Sequence, residues 1–171
     1  MRLKITLFFL LISFLKSVDC KAQSTEIADF TKVTAHLIKN FPETNINEKL
    51  ILVSFWSSEN FESRSGNLDL MEIWNIYKAA HLKNGRKGVV FYAVSADTDK
   101  VKWDIACKKD GMARVINFCD GKGMSSELIS DLNVKSLPHN ILFDSNGKVI
   151  AVNLKTQEVI KTVFNQQITR D

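Results

Sequence analysis

The sequence predicts an α/β domain: a central mixed β-sheet of about five strands flanked by helices on both faces. Three observations carry this expectation. Leu50 to Trp56 (LILVSFW) and Gly88 to Ser95 (GVVFYAVS) are near-continuous apolar runs, the composition of strands buried on both faces of a sheet. Between them Leu70, Met71, Trp74, Tyr77 and His81 recur at helical spacing. Strand, helix and strand in this order form a βαβ unit, which forces parallel pairing and a right-handed crossover. Toward the C-terminus, His139 to Phe143, the turn Asp144-Ser145-Asn146-Gly147 and Lys148 to Val152 read as an antiparallel hairpin, so the sheet is mixed.

The other elements fall into place around these. Thr25 to Phe41 sets Ile27, Phe30, Thr34, Leu37 and Phe41 on one helical face, with Ser24 or Thr25 as N-cap and Pro42 as the stop. A short helix over Lys100 to Lys109 carries Trp103, Ala106 and Cys107 on one side and leads to a strand at Arg114 to Cys119. A helix follows from about Ser125 to Leu132, capped by Ser125 or Ser126, and a closing helix from Thr156 buries Val159, Ile160, Val163 and Phe164. No internal repeat, linker or second core interrupts the pattern.

A chain of 171 residues, 45% hydrophobic and 25% charged, has the balance of one globular domain, and this excludes disordered, collagen-like and low-complexity classes. The net charge of +4 is concentrated at the start: Arg2, Lys4, Lys16 and Lys21 stand against Asp19 alone, and the rest of the chain is nearly neutral. With no basic run or stripe, nucleic-acid binding has no electrostatic footprint.

Residues 1–22 have a basic start, an apolar stretch from Ile5 to Leu15 and small residues at the positions preceding a cut after Ala22. This is the pattern of a secretory signal peptide, leaving a mature domain of residues 23–171 in the periplasm or outside the cell. The apolar stretch is too short to span a bilayer. Cys20 offers a second reading, a lipidated cysteine tethering the domain to a membrane, against which stands the acidic Asp19 directly before it.

Three stretches carry a family resemblance: LILVSFWSSENFESR at 50–64, VVFYAVSADTD at 89–99 and DLNVKSLPHNILFDSNGKVI at 131–150. Together they resemble the thioredoxin-like fold, in particular the exported TlpA-like thioredoxins, over about Asn45 to Asn165. The resemblance implies that Pro138 is the cis-proline facing the active-site loop. It also implies thiol-disulfide exchange by a Cys-x-x-Cys pair at the start of the helix after the central strand. Here those positions read Asn60-Phe61-Glu62-Ser63, followed by the family-like Arg64. Neither an amide nor a hydroxyl forms a mixed disulfide, so dithiol exchange at this site is excluded by composition.

The remaining cysteines, Cys107 and Cys119, leave three readings open: buried small hydrophobes, a structural disulfide in an oxidising compartment, or redox work. His36, His81 and His139 stand at no metal-ligand spacing, and neither a zinc pattern nor a phosphate loop is present, so no metal or cofactor is implied. His36 and His81 read as helix-surface residues and His139 as a strand-end residue bordering the degenerate loop; Ser63 with His139 is a nucleophile pair by adjacency alone.

Two functions are therefore expected as alternatives. One is a binding module that captures a peptide or protein of the cell envelope or exterior by strand addition. Leu137 supplies the pairing backbone, Trp56, Phe61 and Pro138 the apolar walls, and His139 borders the site. The other is a thiol-disulfide oxidoreductase or peroxide-handling enzyme working through Cys107, Cys119 or a partner's thiols.

Overall fold

The computed structural model describes residues 29–81, 88–155 and 157–167. Its elements in chain order are α1 (29–40), β1 (Leu50–Trp56), α2 (Phe61–Tyr77), β2 (Val89–Ser95), α3 (Lys100–Lys109), β3 (Ile116–Phe118), α4 (Glu127–Asp131), β4 (His139–Phe143), β5 (Val149–Val152) and α5 (Gln157–Asn165). The five strands form one sheet in the order β3-β2-β1-β4-β5. β1 lies at its centre, parallel to β2 and antiparallel to β4, so the predicted mixed sheet is what the chain builds. Among the described residues no helix is long and apolar enough to cross a membrane.

Successive side chains of a strand point to opposite faces, and the central strands divide the core accordingly. Leu50, Leu52 and Trp56 of β1, with Val89, Phe91 and Ala93 of β2, pack with residues of α2, α3 and α5. Ile51, Val53 and Phe55, with Val90, Tyr92 and Val94, pack against Val33 and Leu37 of α1 and Leu128 and Ile129 of α4. Each large side chain removed from water contributes roughly 1.5–3 kcal/mol, so both faces have a driving force of their own.

The hairpin turn is fixed by Asp144, whose Oδ1 accepts the N–H groups of Asn146 and Lys148 at 2.8 and 2.9 Å. Gly147 closes it at φ 85°, and a Cβ there would lie 2.9 Å from the Phe30 ring of α1. Both the positive φ and the close approach require glycine.

Several expectations are corrected. His36 is not on the helix surface: it is buried, its Nδ1 2.6 Å from the Tyr92 hydroxyl and its ring edge-on to Phe118. A polar residue on the inward face escapes an apolar-periodicity reading. His81 is exposed, but α2 ends at Tyr77, so it lies beyond the helix. The strand expected over Arg114 to Cys119 is confined to Ile116–Phe118, because Met112–Arg114 form a 3-10 turn after Gly111 at φ 72°. α4 starts only at Glu127, and the N-cap residue Ser126 makes no side-chain capping bond. In the closing helix Ile160 and Phe164 are buried and Val163 is partly buried. Residues 1–22, Cys20, Ser24, Thr25, Ile27 and Thr156 lie outside the described residues, as does the side chain of Val159.

Candidate functional site: the start of the second helix and the groove beside it

β1 delivers the chain into the loop Ser57-Ser58-Glu59, and a buried carboxylate holds that loop. Asp97, just past the end of β2, accepts the Ser57 hydroxyl at 2.8 Å, the Ser58 hydroxyl at 2.9 Å and the Ser58 N–H at 3.0 Å. Its other oxygen takes the Ser95 hydroxyl at 2.6 Å. Hydrogen bonds to an ionised acceptor are about twice as strong as neutral ones, so this cluster ties the β1 and β2 ends together firmly.

Asn60 then caps α2. Its backbone is extended (φ −94°, ψ 112°) and its side-chain oxygen accepts the Ser63 N–H at 2.7 Å, satisfying one of the donors a helix start leaves open. Phe61, the first residue of the helix, is 84% exposed, and Glu62 beside it is exposed as well. Ser63 turns inward, fully buried, with no hydrogen-bond partner for its hydroxyl. Arg64 makes a two-pronged ion pair with Asp110 at the end of α3, both bonds 2.6 Å, which raises the guanidinium pKa further and braces α2 against α3.

Across from this helix start, the Leu137–Pro138 peptide bond is cis. Between α2, the 136–138 loop and the segment after β5 lies a groove of about 490 Å³, lined among others by Phe61, Glu62, Asp69, Leu137, Pro138 and Lys155. Polar residues also line it: the Ser54 hydroxyl donates to Asn67 Oδ1 at 2.9 Å, while Asn67 Nδ2 has no acceptor. The backbone N–H and C=O of Leu137 have no partner among the described residues.

The expected site residues are thus partly gathered. Phe61, Glu62, Leu137 and Pro138 share the groove. Trp56 does not: it is 0% exposed inside the core, so its role as a groove wall is overturned. An aromatic at the end of a central strand is covered by the helices on that face, which the local sequence does not reveal. His139 is half-buried, its ring tilted against that of Phe55 with centroids 6.1 Å apart; its neighbours Pro138 and Asn140, and not His139 itself, line the groove. Burial lowers its pKa, with a hydrogen bond to Asn153 acting the other way. It makes no hydrogen bond with Ser63, whose hydroxyl is unpartnered, so the nucleophile pair is not assembled.

Cys107 and Cys119 are free thiols, not a disulfide. Cys107 is buried on α3, where desolvation first and nearby acidic groups second push its pKa up to about 12. Its sulfur accepts from Asn117 Nδ2 at 3.2 Å, and the Cys119 thiol donates to the Asp97 carbonyl at 3.6 Å. Among the described residues no cluster of three or more His, Cys, Asp or Glu is placed to hold a metal ion.

Sequence reading missed Asp97 and the Arg64–Asp110 pair. The Ser57-Ser58 pair after one strand and Ser95-Ala96-Asp97 after the next were the available signal for the first. Parallel neighbours bring their C-terminal ends together, and hydroxyls there invite a shared acceptor.

A family model described as thioredoxin-like matches residues 47–149. Among solved structures, the C-terminal domain of a protein assigned as a thiol-disulfide oxidoreductase from Bacteroides thetaiotaomicron is 33% identical, with a TM-score of 0.58, covering 70% of this chain and 77% of its own. A thiol-disulfide oxidoreductase from Bacteroides fragilis is 28% identical, with a TM-score of 0.59 and coverage of 70% and 82%. The thioredoxin domain of a thiol-disulfide oxidoreductase from Bacteroides vulgatus, at 23% identity, TM-score 0.56 and coverage of 71% and 81%, shares the fold. No curated protein matches the chain in sequence. With the family model spanning more than half of its length, this chain belongs to the thioredoxin-like family.

Proposed function

We propose that the chain is an exported, redox-inactive member of its family that captures an extended polypeptide segment in the groove between the start of α2 and the Leu137–Pro138 loop. The observation that carries this reading is Phe61, 84% exposed at the rim of that groove. A large aromatic left in water on a helix start has no packing role, whereas on a groove rim it supplies the apolar anchor that binding sites use. The backbone of Leu137, without a partner among the described residues, adds a donor and an acceptor for strand addition.

Redox inactivity is supported by the chemistry of the helix start. Asn60 and Ser63 carry no sulfur, and the Ser63 N–H, one of the open donors that lower a thiol's pKa at a helix N-terminus, is already taken by the Asn60 side chain. Cys107 does not replace the missing pair, because burial disfavours its thiolate. Export rests on the basic and apolar pattern of residues 1–22.

The reading is tested by fluorescence anisotropy with labelled, reduced and alkylated model polypeptides. Phe61→Asp is expected to abolish binding while leaving the thermal melt unchanged, since Phe61 contributes little to the core. Undiminished binding by that variant removes the groove from the function.

A further inference from the structure

Next to the groove, α2 and α3 meet in a cleft that peptide capture leaves unused. It consists of two adjoining hollows of about 410 and 240 Å³, which share Ser58, Glu59 and Arg64. Leu68 of α2 lines the first and Ile105 of α3 the second. Leu68 is 51% exposed, Ile105 59%, and Val101, one turn before it on α3, 68%. Met71, Ala106 and Cys107 are the residues these helices bury in the core, so the chain's own packing uses their other sides. Large apolar side chains gathered in water on one face mark an interaction surface.

The charges of this face identify what covers it. Arg64, Lys102 and Lys108 are ion-paired with Asp110, Glu59 and Asp104, and Lys109 adds one cation more. An anionic membrane or an acidic polypeptide is drawn to a clear excess of cations, which these pairs remove. A second copy of the chain asks for the opposite. A two-fold contact sets one patch against itself, so the patch must carry both charge signs and both a projection and a hollow. Val101 and Ile105 project from α3 beside the hollow that Leu68 lines, and the Glu59–Lys102 pair stands exposed at the rim with both signs in reach of a neighbour. Beyond residue 22 the chain is nearly neutral, so two copies do not repel each other.

We propose that the chain forms a two-fold symmetric dimer through its α2–α3 face, with Val101 and Ile105 of each copy entering the cleft beside Leu68 of the other. Phe61 lines both the cleft and the groove, whereas Ile105 lines the cleft alone, so the two surfaces are separable by mutation.

Sedimentation velocity on the full chain, from about 1 to about 100 μM, tests the proposal, and a dimer dissociating in the micromolar range is expected. Ile105→Glu should weaken association at least about a hundredfold, because symmetry places the unpaired carboxylate in the contact twice. Its thermal melt should be unchanged, since the side chain is exposed in the single chain. Val101→Glu is a second variant with the same expected outcome. A monomer throughout the range, or a dimer that survives both substitutions, overturns the proposal. A monomer that floats with vesicles of equal phosphatidylglycerol and phosphatidylcholine, or binds a poly-glutamate peptide, assigns the face to an anionic partner and overturns it as well. Peptide capture in the groove is read separately in the Ile105→Glu variant, so either reading fails without the other.

Discussion

Two regions on the same side of the sheet divide between them what thiol chemistry requires. The start of α2 has the position: a helix N-terminus at the end of the central strand, opposite a proline loop, with its first side chain in solvent. The α3 and β3 region has the sulfur, in Cys107 and Cys119, but holds Cys107 among apolar neighbours with its thiol pKa pushed up to about 12. The difference teaches that the location of a group decides its reactivity as much as its identity does. Sulfur in a desolvated pocket behaves as a core residue, and the helix start, where a thiolate would be favoured, carries no sulfur.

Moving the sulfur is the strongest way to break this comparison. Asn60→Cys with Ser63→Cys places thiols at the α2 start, where the helix end favours the thiolate. In reduced protein at neutral pH the thiol introduced at position 60 should react with iodoacetamide roughly 30- to 60-fold faster than Cys107, because the roughly thousandfold lower thiolate fraction of Cys107 is partly offset by the greater nucleophilicity of a more basic thiolate. Timed alkylation followed by peptide mass mapping measures both rates in one sample, and comparable rates would show that position confers nothing here.

A second experiment asks how far the loop depends on its anchor. Asp97→Ala removes the acceptor shared by Ser57, Ser58 and Ser95 and leaves the buried donors of Ser58 and Ser95 unpaired. A loss of about 3 kcal/mol in urea denaturation is expected, consistent with charged hydrogen bonds and stranded donors. A loss within experimental error would mean that the loop is positioned by α2 alone.

The smallest effect concerns pH and the sheet face that packs against α1 and α4. Burial lowers the pKa of both His36, on the inward side of α1, and His139, the first residue of β4, from the ordinary histidine value of 6.5. Groups harder to protonate in the folded state give stability that is full above the unfolded value and is lost as pH falls through the folded values. Around His36, Glu127, Asp120 and Asp131 oppose this and Lys39 supports it, but desolvation is the largest cause. Denaturation at about pH 7.5 and about pH 5.5, on either side of the unfolded value, should therefore show lower stability in acid. His36→Gln, which keeps a hydrogen-bonding group for Tyr92, should flatten that slope; a slope unchanged in the variant would locate it elsewhere.

Much of the architecture was legible because it is written locally. The apolar runs at 50–56 and 89–95, the helical spacing between them and the Asp-x-x-Gly turn each carry their own signal, and the strands start and stop where those signals do. The groove was legible in part: Phe61 and the Leu137–Pro138 loop followed from the resemblance, and they share one concavity. What escaped was non-local. Asp97 reaches Ser58 across 39 residues and Arg64 reaches Asp110 across 46, so neither pair leaves a mark in a short window. Trp56 and His36 failed for a related reason, since whether a side chain is covered depends on which helix lies over it.

The anchoring carboxylate has a consequence for how such a domain changes over time. Asp97 grips Ser57 and Ser58 but makes no hydrogen bond to residues 60–63, so the support is separate from the side chains it presents. Phe61 and Glu62, the two exposed residues at the helix start, can be exchanged on this fixed mount, whereas Asn60 caps α2 and Ser63 is buried. A change in what the helix start presents to solvent then needs substitutions at those two positions and none at Ser57, Ser58 or Asp97.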